Sequence, residues 1–132
     1  MATRKIEVFT RARVDAVWDA ARDIGALHTR LVPGFVVDTK LEPGARIVTF
    51  ADGRVAREPI VAIDEEAKRL VWSLQVERVR HYNASLQALG EASGGTRVVW
   101  IADFLPDEIA PFIEAAMRAG AEAMQNALDL LV

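Results

Sequence analysis

Residues 35–105 limit the possible folds of this chain more than any other feature, because they read as short strands with a turn signal after almost every one. Phe35–Leu41 is followed by Glu42-Pro43-Gly44, Ala45–Phe50 by Ala51-Asp52-Gly53, and Arg54–Ile63 by the acidic turn Asp64-Glu65-Glu66. Arg69–Val76 leads into a basic connection at 77–80, His81–Gly90 into Ser93-Gly94-Gly95, and Thr96–Leu105 closes the series. Strands this short, joined by turns this tight, pair with their neighbours in sequence, so the spacing predicts an antiparallel meander.

A sheet of this kind needs a second layer to cover its apolar face. Pro106-Asp107 ends the last strand, and Pro111, which lacks an N–H, places the start of a regular helix near Ala110. Ile109, Phe112, Ile113, Ala116, Gly120, Ala123, Met124, Ala127, Leu128 and Leu131 form one apolar stripe. Glu114, Arg118 and Glu122 line the opposite side at i, i+4 spacing. A helix of about 20 residues spans about 30 Å, the width of a small domain.

Ahead of the meander, residues 4–10 alternate, with Ile6, Val8 and Thr10 on one face and Lys5 and Glu7 on the other, which predicts a strand. The period then lengthens, and Val14, Val17, Trp18 and Ala21 fall at helical spacing. Asp23 is placed to cap a second short helical piece ending near Leu27, before Pro33-Gly34 breaks the pattern. The expected fold class is α+β: a curved antiparallel sheet wrapped around a long C-terminal helix, with two short helices after the first strand. The whole chain, 1–132, is read as one domain, since no repeat or linker divides it.

Several function classes are disfavoured. The net charge is −3 and the basic residues are scattered, so no basic face is available to neutralise phosphates, and nucleic acid is not an expected partner. No apolar run approaches the roughly 20 residues of a membrane span. Met1-Ala2-Thr3-Arg4-Lys5 runs straight into the first strand without a signal-peptide pattern, and a cytoplasmic location is the expectation. The lack of cysteine removes disulfides, thiolate ligands and a thiol nucleophile. His28 and His81, the two histidines, show no ligand spacing and are read as unrelated exposed residues, so neither a metal nor a cofactor is expected. Phosphate loops and the G-x-S-x-G elbow are also missing.

Five stretches, in order, carry a resemblance: Ala16-Val17-Trp18; Asp52-Gly53-Arg54-Val55-Ala56-Arg57-Glu58; Tyr82-Asn83-Ala84-Ser85-Leu86; Gly95-Thr96-Arg97-Val98-Val99-Trp100; and Phe104-Leu105-Pro106. Together they resemble the helix-grip fold of the START and birch-pollen-allergen superfamily. Within it the chain looks like a bacterial member of the polyketide cyclase/dehydratase-like (SRPBCC) group, which is also similar to the plant abscisic acid receptors. The resemblance runs over nearly the whole chain. It implies a cavity between sheet and helix, with Glu58 facing it and contacting ligand through water, and Tyr82 as a second polar contact. It also implies that residues 77–80 lie over the cavity mouth. The Ala51-Asp52-Gly53 turn matches a second gating loop but lacks that loop's longer Gly- and Pro-containing sequence. The superfamily contains lipid carriers, hormone receptors and cyclases, so the fold alone does not fix the function.

Carrying the face of Glu58 to the neighbouring strands by period two places Arg46, Val48, Phe50, Glu58, Trp72, Leu74, Tyr82, Trp100 and Phe104 towards the helix. On the helix, Phe112, Ala116, Met117, Gly120 and Met124 are expected to face the cavity; small residues leave room and methionines adapt to different shapes. Gly120→Leu is accordingly expected to block binding while sparing the fold. A carboxylate at position 58 has its pKa raised by desolvation unless a cation pairs it. It either anchors a ligand, acts as an acid or base, pairs structurally with Arg46, or is solvated on a turned strand. Tyr82 is either a polar contact or a packing residue, and Trp72, Trp100 and Phe104 either line the pocket or fill it.

Three readings follow. The first is a carrier or sensor for an apolar or amphipathic small molecule. The second is a cyclase or dehydratase using Glu58, with Tyr82 and Arg46 beside it. The third is an interaction protein with a filled core. The chain is expected to be a monomer or a homodimer. An apolar cavity of several hundred cubic ångströms favours the first reading over the third.

Overall fold

The computed structural model describes residues 1–132. The strands are β1 (Ala2–Thr10), β2 (Val36–Glu42), β3 (Ala45–Phe50), β4 (Val55–Asp64), β5 (Arg69–Ser73), β6 (His81–Gly90) and β7 (Thr96–Leu105). The helices are α1 (Val14–Arg22) and α2 (Ala110–Asp129). All seven strands join one antiparallel sheet in the order β1-β7-β6-β5-β4-β3-β2. Strands β2 to β7 form the expected meander, and β1 adds to its last member. Gly53 and Gly94 occupy the left-handed region at φ 89° and 93°, which lets the β3–β4 and β6–β7 connections turn without a Cβ clash.

Strict alternation makes β6 and β7 the floor of the core. Tyr82, Ala84, Leu86 and Ala88 are buried with Thr96, Val98, Trp100, Ala102 and Phe104, while the residues between them are largely half-exposed. Helix α2 joins the same core through Ala110, Ile113, Met117, Ala121, Met124 and Leu128, which recur every three or four residues. Each fully buried Leu, Met or Phe in this layer contributes about 1.5–3 kcal/mol. Helix α1 buries Val17, Trp18, Ala20 and Ala21. It is tied to the β4–β5 turn by Glu65, which accepts from Trp18 Nε1 at 3.2 Å and from Arg22 Nε at 2.8 Å. No helix is long and apolar enough to cross a membrane.

Four details depart from the sequence expectation. The second helical piece does not stop near Leu27: a 3-10 turn at Ile24–Ala26 passes into a π-helical turn at Leu27–Leu31. Asp23 gives it no side-chain cap, because its carboxylate accepts from Arg30 Nη1 at 3.0 Å instead. Strand β5 ends at Ser73 rather than Val76, with only an isolated bridge between Gln75 and Arg57 beyond it. Finally, the β4–β5 register shifts between Ile60 and Ala62, so Ala62 is exposed although it shares the parity of Ala56 and Glu58.

Candidate functional site

A cavity of about 420 Å³ opens between the sheet and α2. Small side chains on the helix leave this space, since Ala115, Ala116 and Ala119 stand among its lining residues. From the sheet, the expected Arg46, Phe50, Glu58, Trp72, Leu74, Tyr82 and Trp100 line it; from the helix, the expected Phe112, Ala116, Met117 and Met124 do. Trp72 and Trp100 form a tilted pair with ring centroids 6.5 Å apart, bordering the void rather than filling it.

Three expected wall positions are corrected. Val48 and Phe104 have the right parity but are completely buried in packed core away from the void. Gly120 is a close-packing site: a Cβ there would lie 2.9 Å from Trp100 Cη2 and 3.2 Å from Phe35 Cε2. A leucine at 120 therefore enters only if the Trp100 and Phe35 rings shift, so these contacts oppose the expectation that Gly120→Leu spares the fold.

One wall was missed from the sequence. Leu27, Leu31, Val32, Phe35 and Val36 all border the cavity, supplied by the π-helical turn and the segment after it. The i, i+4, i+5, i+8 spacing of the first four is a helical signal, interrupted by Pro33-Gly34. Phe35 and Phe50 meet edge to face at 5.5 Å across this end of the pocket.

The interior polar group is an ion pair. Arg46 and Glu58 stand opposite each other on β3 and β4, and Arg46 Nε donates to Glu58 Oε1 at 2.8 Å. Both are deeply buried, at 2% and 6% exposure. The guanidinium also reaches the Ile24 carbonyl at 3.4 Å and lies 5.6 Å from the Trp72 ring centroid. Burial pushes the Glu58 carboxyl above its ordinary range, and the Arg46 charge and hydrogen bond only partly oppose this. Burial likewise raises the Tyr82 phenol, with the Glu58 charge adding to the effect. Trp100 Nε1 is the one buried side-chain nitrogen or oxygen without a hydrogen-bond partner.

At the mouth, Arg54 lies 4.3 Å over the ring of half-exposed Phe112, linking the β3–β4 turn to α2. Asp52 holds that guanidinium at 2.7 Å, and hydrogen bonds, the Arg54 backbone N–H first, keep the Asp52 carboxyl below the usual carboxylate range. Val76 and Val79, from the β5–β6 connection, complete the rim. The histidines take no part in this site. His81 is exposed, but His28 is half-buried and its Nδ1 pairs with Thr39 Oγ1 at 3.1 Å, which corrects the reading of both as exposed. No three or more His, Asp or Glu side chains converge as a metal site would require.

A seven-stranded antiparallel sheet gripping a long C-terminal helix over an apolar cavity defines a helix-grip protein of the START-like class. The profile of the family described as "Polyketide cyclase / dehydrase and lipid transport" matches residues 1–132, and the chain belongs to that family. No curated protein matches its sequence. Among solved structures, the protein XoxI from Bacillus cereus superposes with a TM-score of 0.85 at 20% identity, covering 97% of this chain and 96% of its own. A START superfamily protein from Mycobacterium smegmatis gives 0.74 at 10% identity, covering 99% and 98%. A Thalictrum norcoclaurine synthase point mutant, in complex with a transition-state analogue, gives 0.69 at 18% identity, covering 96% and 94%. These identities establish a shared fold and nothing finer.

Proposed function

We propose that the protein binds an apolar or amphipathic small molecule in the cavity between the sheet and α2, as a carrier or sensor. The observation that carries this reading is the 420 Å³ cavity itself, of whose 27 lining residues 23 are hydrophobic. That size and character suit a compact organic ligand held by shape and a few polar contacts, and argue against a filled-core interaction protein. Native mass spectrometry of the freshly purified protein is expected to show a bound species of discrete mass that organic extraction removes. A protein that stays apo and takes up no apolar probe added at high micromolar concentration overturns the proposal.

A cyclase or dehydratase is the second reading, favoured by one observation: Glu58 holds its proton more tightly than an ordinary carboxyl, within electrostatic reach of Tyr82. The bond from Arg46 favours an anchoring role for Glu58 instead. Glu58→Gln separates the two. An anchor loses about 1–3 kcal/mol of binding. An acid or base keeps binding and loses turnover by about a hundredfold or more.

A further inference from the structure

The sheet ends in two edge strands, β1 and β2, and the chain ties down only the first. Along β1, Arg4 pairs with Glu114 of α2 at 3.8 Å, Lys5 pairs with Glu7 at 3.2 Å, and Gln125 of α2 donates to the Phe9 carbonyl. Strand β2 has no such ties. Phe50 N–H donates to Arg54 on the β4 side and Ala51 N–H to Phe35 on the β2 side, so the odd-numbered residues of β3 bond towards β2. Asp38 and Lys40, opposite Thr49 and Ile47, accordingly turn their N–H and C=O groups to β3, while Thr39 and Leu41 turn theirs to the open edge. No turn or loop backbone bond reaches Thr39 or Leu41.

The side chains of this edge complement themselves. Asp38 and Lys40 form no ion pair within the chain, although the other two lysines do, Lys5 with Glu7 and Lys68 with Asp15 at 3.8 Å. Val37 and Leu41, on either side of them, are 53% and 60% exposed. A second copy of Val37–Leu41 laid antiparallel about Thr39 sets Asp38 against Lys40 twice and Val37 against Leu41 twice. The two Thr39 residues then exchange N–H···O bonds on the axis. The charged pairs fall at the non-hydrogen-bonded positions, where Cα atoms approach to about 4.5 Å. Opposite charges there attract and like charges repel. A lysine and a bulge on an edge strand ordinarily discourage pairing. Here Asp38 answers the lysine, and the bulge at Val37 lies outside the Asp38–Lys40 centre.

We propose that β2 is a self-association edge: two copies of this chain pair antiparallel through Val37–Leu41 about a two-fold axis at Thr39, joining their sheets into one. The contact is isologous, the same residues serving both sides. It does not depend on what the cavity holds. A strand of seven residues is far short of the roughly 20–30 residues a side of a standard interface, so the dimer exchanges with monomer and is not permanent.

Sedimentation equilibrium of the full chain in low salt, from about 10 μM to about 1 mM, tests this, since the upper limit reaches weak association. The native protein is expected to pass from monomer to dimer across that range. Lys40→Asp sets two carboxylates against each other at both charged positions, and Asp38→Lys sets two ammonium groups there. Each variant, checked for native circular dichroism, is expected to dimerise about tenfold more weakly or worse. An equimolar mixture of the two variants is expected to associate as tightly as the native protein, because each chain then offers one sign to the opposite sign on its partner. A native protein still monomeric at the highest concentration overturns the proposal and leaves the edge to an extended peptide of another protein. A dimer that neither variant weakens overturns it by placing the contact on another face. Weakened variants whose mixture does not recover overturn it by ruling out the two-fold register about Thr39.

Discussion

Arg46 and Glu58 face each other across β3 and β4 with Nε and Oε1 2.8 Å apart, both under 10% exposed, in a cavity that is otherwise nearly all apolar. Desolvating two charges costs several kcal/mol each, and their attraction recovers this only while both are present. The two single removals are therefore unequal. Arginine cannot shed its proton, so Glu58→Leu strands a cation and is expected to cost about 3–5 kcal/mol in urea denaturation. Arg46→Met is expected to cost less, because the remaining carboxyl can neutralise itself by protonation. The double variant Arg46→Met/Glu58→Leu is expected to recover the loss and to match or exceed the native stability by about 1–4 kcal/mol. A double variant less stable than both singles contradicts this account.

The same pair gives a pH signature. The folded-state pKa of Glu58 lies above its ordinary value of 4.5, so the folded protein binds this proton more tightly than the unfolded chain. Its contribution to stability is thus fully present below the unfolded pKa and is lost as pH rises through the folded one. Glu58→Gln keeps an acceptor for Arg46 and cannot titrate. The stability difference, native minus Glu58→Gln, is expected to fall as pH is raised from about 4.5 towards neutrality. Urea midpoints across that range measure it, and a difference that rises with pH contradicts the raised pKa.

Gly120 shows what one hydrogen atom in place of a methyl group does here. A Cβ would meet Trp100 Cη2 at 2.9 Å, Trp100 Cζ3 at 3.0 Å and Phe35 Cε2 at 3.2 Å. Alanine gains about 1 kcal/mol of helix propensity over glycine, yet overpacking costs about 1–3 kcal/mol. Both rings border the cavity, which is open space into which they can yield. Gly120→Ala is expected to be destabilised by about 1 kcal/mol and to weaken probe binding together. A variant more stable than native, with unchanged binding, shows that Gly120 is not a packing constraint.

The limits of β3, β6 and β7 and the start of α2 match those read from the sequence because alternation, turn residues and Pro111 are local signals, whereas the apolar stripe runs on to Leu131, which lies beyond the end of α2 at Asp129 and is exposed. Burial of Glu58 and Trp100 with the core face follows from the same parity. Parity could not tell that Val48 and Phe104 sit in packed core while Trp72 and Trp100 border a void, since that depends on where α2 and the Leu27–Val36 segment come to rest. Ala62 has the parity of Glu58 but is exposed because of a bulge, an extra residue whose cause lies in strand pairing and not in the hydrophobic pattern. Close approach at Gly120 is likewise invisible until the helix is laid on Trp100; the sequence shows a small residue but not whether it makes room or fills it.

Gly95 carries the most severe steric constraint among the glycines. A Cβ there would lie 2.6 Å from the Thr10 carbonyl oxygen and 3.4 Å from Arg11 Cα, and both are backbone, which cannot rotate aside. The surroundings are also fixed. Thr96 Oγ1 donates to the Ala12 carbonyl at 2.7 Å, Ala12 N donates to Thr10 Oγ1 at 3.2 Å, and Thr10 Oγ1 donates to Asp129 Oδ1 at 2.9 Å. These bonds join the start of β7, the end of β1 and the last turn of α2, so relieving the clash means parting all three. Gly95→Ala is expected to cost about 3 kcal/mol, the top of the ordinary overpacking range, and to lower Tm by about 10 °C. Gly90→Ala is the control: its Cβ would sit 3.7 Å from Val14 Cγ1, an ordinary contact, and a change within about 1 kcal/mol is expected there. Thermal unfolding of the two variants side by side decides the matter, because equal Tm values would mean that the β1–β7 junction yields freely and does not hold the end of α2 in place.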